Sequence, residues 1–222
     1  MRKWSKAPRV LALLTVMLAA ALGFAPTAGA EVAGELQGKI DAAESGSTIV
    51  LDKDYTESVT IRNGKKITLD LAGKTLTAAS GAKAIVVDGG EIVLIDSNAA
   101  SSPVVSQDYE TVTYNSGKVI ADKTAVSVIN GGSFTMNSGT VESNADCGVY
   151  AGAEGGGAGS FVMNGGYIKA QEYGIGVMNE GATVTVAGGV VVANDNAALA
   201  GNGTTGMGGT TITVSGLSLI HI

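Results

Sequence analysis

Six aspartates, Asp70, Asp88, Asp96, Asp122, Asp146 and Asp195, are the side chains of this sequence best suited to chemistry. Carboxylates held in pairs act as general acid and base, and a converging set of oxygens holds a hard cation. Cys147 is the only cysteine and His221 the only histidine. A thiol needs a base to become a nucleophile. His221 stands in the closing LSLIHI segment, which is set aside on other grounds, so Cys147 reads as a small buried apolar group. Tyr150, Tyr167 and Tyr173 could form a platform for stacking against sugars, with partial burial in a protein wall as the plainer role. Whether any of these groups meet depends on the elements that carry them.

Those elements repeat. Ser133–Val141 reads SFTMNSGTV, and Ser160–Ile168 reads SFVMNGGYI 27 residues later. Related openings occur at Lys66 (KITLDL), Glu91 (EIVLID), Thr183 (TVTVAGGVV) and Thr211 (TITVSG), giving spacings of 25, 42, 27, 23 and 28 residues. Periods in this range mark stacked-repeat architectures. The second residue of each copy is Ile67, Ile92, Phe134, Phe161, Val184 or Ile212, and the fourth is Leu69, Leu94, Met136, Met163, Val186 or Val214. All are apolar, and the residue between them is Thr or Val, the alternation of a half-buried strand. Shorter segments, AIVVDGG from Ala84, AVSVINGG from Ala125 and GIGVMNEG from Gly174, precede three copies. Each repeat therefore holds at least two strands joined by a tight corner. Asp88-Gly89-Gly90, Asn130-Gly131-Gly132 and Asn179-Glu180-Gly181 supply corner residues tolerant of positive φ.

Faces presented at a constant offset bury a continuous core when coils stack in register. The sequence predicts an all-β chain, a right-handed parallel β-helix over 31–216, with a sandwich of short strands as the competing fold. A capping helix is expected within 31–46, where Leu36, Ile40 and Ala43 share one stripe and Gly46 suits a helix stop. Thr48–Leu51 and Ser58–Ile61 follow as first strands. A loop insertion is expected over 97–122: Ser97–Asp108 is polar and carries Pro103, while Tyr109–Tyr114 alternates as either a hairpin strand or a widened coil. Ala153–Gly159 reads as a glycine-rich turn. The six aspartates fall at different phases of the repeat, so coil geometry scatters them around the circumference. Asp70 aligns with Asn137 and Asn164, which points to corner roles, the two asparagines stacking and bonding backbone groups at the bend. The Thr-Val-Thr at 183 and Thr-Ile-Thr at 211 match the outward threonines common in strands.

The ends differ from the middle. Arg2, Lys3, Lys6 and Arg9 precede the uncharged run Val10–Ala25, and Ala28-Gly29-Ala30 follows. This pattern reads as a cleaved signal peptide over 1–30, its apolar run too short to span a bilayer, and predicts a secreted product with no membrane span. Removing it leaves ten basic residues against 20 acidic ones, a net charge of −10, which offers no basis for binding nucleic acid. With 33 glycines but valine, isoleucine and leucine throughout, the chain is not of low complexity. One cysteine permits no internal disulfide. Residues 217–222, LSLIHI, match the translation of a transposon-end sequencing adapter, and no cap closes the last coil. The native protein is therefore expected to continue beyond Gly216, where any attachment to a cell wall would reside.

The opening helix with GSTIVLDKDYTESVTI and GKKITLDLAGKTLTA resembles the cap and first coils of the pectate-lyase-like right-handed β-helix superfamily. GSFTMNSGTV and GSFVMNGGYI are similar to the GGTFTMNGG-type repeats of large bacterial surface proteins. The resemblance covers 31–216 and rests on core and corner residues, which specify fold far better than activity. It implies an adhesin-like scaffold, secreted or wall-attached, in contact with cell-wall, host or extracellular glycans. Lyases of the superfamily use carboxylate-bound Ca²⁺ and a basic residue, usually arginine. Here Arg62 is the one arginine after the leader, at a corner beside the cap, and the remaining basic residues of the coils are sparse, chiefly Lys118, Lys123 and Lys169. The expectation is accordingly no catalytic residue, cofactor or metal site in this stretch. The alternative is a polysaccharide lyase or glycoside hydrolase whose active residues lie further along the chain.

Overall fold

Alternate apolar residues along each short strand need a partner face, and the chain provides it by coiling. The computed structural model describes residues 34–62, 64–108, 111–152, 156–201, 209–216 and, for their backbone, 218–221. The signal peptide expected over 1–30 lies outside them. Each full coil contributes one strand to each of three parallel sheets, a right-handed β-helix and not a sandwich. Sheet A stacks 47–50, 66–70, 91–95, 133–136, 160–163, 183–186 and 211–214. Sheet B stacks 55–56, 75–77, 118–121, 140–143, 167–170, 190–193 and 218–221, and sheet C stacks 59–62, 85–88, 126–129, 149–151, 175–177 and 199–201. A coil thus holds three strands where the repeat pattern resolved two. SFTMNSGTV is not one segment: it contains a sheet A strand, a corner, and the start of Thr140–Ser143 in sheet B.

The register matches the sequence ladder. Ile67, Ile92, Phe134, Phe161, Val184 and Ile212 lie opposite one another in turn, as do Leu69, Leu94, Met136, Met163, Val186 and Val214. Ten of these twelve are buried, while Ile212 and Val214, on the last strand of sheet A, are 38% and 47% exposed. Phe134 and Phe161 stack with ring centroids 5.0 Å apart. Residues 218–221, within the segment read as adapter, pair in parallel with 190–193. An open strand edge accepts any short apolar segment that reaches it.

Helix α1 (Glu35–Ala42) caps the first coil and buries Leu36 and Ile40 against it. It is shorter than the 31–46 expected. Ala43 already leaves in an extended conformation, and Gly46 shapes the following turn with φ +94° instead of stopping the helix. The amides of Leu36 and Gln37 donate to the Glu57 carboxylate at 2.8 and 3.1 Å, so the first coil supplies the cap that the helix lacks in its own sequence. A Cβ on Gly34 would overlap that carboxylate. Gln37 completes the closure. Its Oε1 accepts the Thr60 amide at 2.6 Å and its Nε2 donates to the Thr60 carbonyl at 3.1 Å, replacing a neighbouring strand on the edge of sheet C.

The irregular stretch ends at Gly117 and not at 122, because Lys118–Ala121 is a regular sheet B strand between 75–77 and 140–143. Within it, Val104–Val105 pairs antiparallel with Val112–Thr113, so of the two expectations for this region the hairpin is the observed one. Tyr109 and Glu110, and residues 153–155 of the glycine-rich turn, lie outside the described residues.

Candidate functional site

The three corners decide the fate of the aspartates. Asp70 and Asp96 sit between sheets A and B, both buried. Asp70 Oδ1 accepts the amides of Ala72 and Ser97, each at 2.9 Å. Asp96 accepts the amides of Gly73 at 2.8 Å, Asn98 at 3.1 Å and Gly117. Asp88, between sheets C and A, accepts from Asn130 Nδ2 at 2.7 Å. Asp122, Asp146 and Asp195 lie between sheets B and C and accept from Asn144, Thr124 and Gln171. The six are therefore not scattered as the repeat phases suggested: two share the corner between sheets A and B and three the corner between sheets B and C, where their oxygens satisfy bends and neighbouring coils. No group of three or more His, Cys, Asp or Glu able to hold a metal occurs among the described residues. Asn137 and Asn164 do stack, but Asn164 Nδ2 donates to Asn137 Oδ1 at 2.8 Å, so the pair bonds side chain to side chain across coils. Asn130 and Asn179 hold φ of +54° and +78°, the corner conformation that sequence alone suggested.

The remaining candidates separate as well. Cys147 is buried, and burial, with Asp146 beside it, pushes its thiol well above the usual range, which disfavours the nucleophilic thiolate. Tyr150 lies on sheet C, Tyr167 on sheet B and Tyr173 in the turn before Ile175–Val177, so they form no common platform. Tyr150 pairs with Gly176, where a Cβ would strike its ring. Arg62 forms an ion pair with Asp41 of α1 at 3.9 Å. Lys118 and Lys169 each approach Glu142 at 3.4 Å, and the Lys123 carbonyl accepts from Ser143 in a corner. His221 lies on the last sheet B strand, and its side chain is outside the described residues.

What the coils do assemble is a face. Outward positions of sheet A align Ser133, Ser160, Thr183 and Thr211 in one rank and Thr135, Val162, Thr185 and Thr213 in the next. Asn137, Asn164, Ala187 and Ser215 follow as an exposed rank at the corner. Ten of the twelve carry a hydroxyl or amide and none is charged, whereas on the two preceding coils the first rank continues into Glu91 and Lys66, an exposed ion pair at 2.7 Å. Neighbouring strands stand about 4.8 Å apart and alternate residues about 6.7 Å apart, so the ranks form a grid. Thr183 Oγ1 bonds Ser160 Oγ at 2.9 Å, which fixes rotamers along the stack as the asparagine pair does. The Thr-rich segments at 183 and 211 are two rows of this grid; serine, asparagine and valine in the other rows concealed it.

Sheet B is different outside. Val105 and Val112 of the hairpin, with Tyr167, pack against Val190 and Val192, which point outward yet are 4% and 2% exposed. Burial pushes the Tyr167 phenol up to about 12, and the nearby Glu142 charge adds to the effect. At the capped end, Lys39 bridges Glu35, Asp52 and Tyr55. Hydrogen bonds from Tyr55 and Lys39 lower the Asp52 carboxyl to about 2. Comparison with family models, with curated proteins and with solved structures finds no match to this chain.

Proposed function

We propose that this chain is a secreted or cell-surface β-helix scaffold, adhesin-like, that contacts uncharged glycans through the outer face of sheet A and performs no catalysis itself. The observation that carries this reading is the neutral grid of hydroxyls and amides, Ser133 to Ser215, held in register by the backbone. Side chains already fixed by neighbouring coils lose little freedom on binding. A polyhydroxylated neutral polymer matches them donor for acceptor, whereas an acidic one meets a chain of net charge −10 once the leader is removed. The leader sequence supports export, and the engagement of all six aspartates at corners supports a scaffold over a hydrolase.

Retention of the full chain on insoluble cellulose and mixed-linkage β-glucan, with polygalacturonate as the acidic comparison, tests the reading. Binding to a neutral glycan is expected, with Thr135→Glu/Thr185→Glu weakening it roughly tenfold, because a charge desolvated against a neutral polymer is unpaired. No retention on any glycan would remove the binding role. Turnover of polygalacturonate, abolished by substituting corner carboxylates, would replace the scaffold with an enzyme.

A further inference from the structure

We infer that the hairpin within 97–117 is a brace that ties together coils which are not neighbours. In a plain solenoid each coil contacts only the coils on either side, and stability passes from one to the next. This hairpin breaks that rule. Its root lies at the coil of Lys118–Ala121, and its tip strands lie over Val190 and Val192, three strands further along sheet B. Three spacings amount to about 14 Å.

The brace is anchored at both ends. At the root, one buried carboxylate, Asp96, accepts the amide of Asn98 where the insertion leaves and the amide of Gly117 where it returns, closing the neck. Ala100 donates to the Asn115 carbonyl at 2.8 Å just beyond. Along the way, Ser116 Oγ and Thr140 Oγ1 share a hydrogen bond of 2.7 Å on the next coil. At the tip, Val105 and Val112 pack, beside Tyr167, against the outward side chains of Val190 and Val192. All four residues of Val190–Ala193 are buried: Val191 and Ala193 face the core, and Val190 and Val192 face outward against the hairpin valines and Tyr167. Losing the tip contact exposes two valines on a coil three strands from the root, and losing the 190–193 strand frees the hairpin.

Hydrogen exchange on the full chain tests this reciprocity. Val105→Asp/Val112→Asp is expected to raise exchange at the amides of 190–193 roughly ten- to a hundredfold, from the burial lost by two valines, while the amides of 66–70 and 91–95 keep their protection. In the opposite direction, Val190→Thr/Val192→Thr keeps strand-compatible shapes and is expected to raise exchange at 104–105 and 112–113. If the hairpin variant changes exchange only within 97–117, or the Val190/Val192 variant leaves the hairpin as protected as before, the insertion is an ordinary surface loop and the brace is refuted. Should the hairpin variant fail to fold, the Val190/Val192 pair alone decides between the two outcomes.

Discussion

At the scale of single residues, this protein spends its polar side chains on corners. Asp70 and Asp96 look like catalytic candidates in the sequence, yet each is buried beneath the amides of a bend. Glycine works on the same corners. Gly166 has φ +87°, and a Cβ there would lie 2.7 Å from the Gly139 carbonyl oxygen of the preceding coil. Gly166→Ala is expected to destabilise the fold by about 1–3 kcal/mol, read as a lower urea midpoint. Gly38 is the counter-case. It lies inside α1, and a Cβ there would meet nothing within 4 Å, so Gly38→Ala should raise stability by about 0.5–1 kcal/mol in the same assay. A fall in stability for Gly38→Ala would mean that α1 needs more than helical geometry.

Elements make contributions that no single residue shows. Helix α1 covers the core of the first coil with Leu36 and Ile40, and Gln37 occupies the edge of sheet C as a further strand would. Gln37→Ala leaves the Thr60 amide without that partner and is expected to cost about 1–3 kcal/mol, with faster exchange of that amide as the local readout. Tyr167 packs with the hairpin valines against Val190 and Val192. Because burial favours the neutral phenol, its contribution to stability is complete below pH ~10 and is lost as pH rises through about 12. Phenolate absorbance should therefore show a tyrosine titrating near 12, and Val105→Ser/Val112→Ser, which loosens that burial without adding charge, should return it toward ~10. An unchanged titration in that variant would assign the shift to Glu142 instead.

For the whole molecule, the unit of stability is the stack. Phe134 and Phe161 fill the middle of the core, fully buried and in contact with each other. Phe161→Ala is expected to cost about 3–5 kcal/mol through the cavity it leaves. Since coils support their neighbours, hydrogen exchange should rise first at 133–136 and 183–186, the strands on either side. Uniform exposure of the whole chain would indicate a single cooperative unit instead. No helix among the described residues is long and apolar enough to cross a membrane. The face with the most regular chemistry is the outside of sheet A, built from strands that the repeats place one above another.

The sequence by itself determined the class of fold and the sheet A ladder, because period-two alternation repeated at near-constant spacing has one economical solution, parallel coils in register. It did not show that five of the six aspartates share two corners, because small differences in repeat phase are absorbed within a bend, where each carboxylate accepts hydrogen bonds from its own or a neighbouring coil. The third strand of each coil stayed hidden because Thr140–Ser143 and its equivalents run on directly from a short corner, so one motif contained parts of two strands. The run Val190–Val192 held a legible sign of the brace: three consecutive apolar residues in a strand mean that both faces are buried. Nothing local, however, could say which segment covers the outer face. That choice, the pairing of Gln37 with Thr60, and the alignment of twelve neutral positions into one grid all join residues distant in sequence. Only the tertiary structure decides them, because the energies involved arise from contacts between coils and not from the preferences of any segment alone.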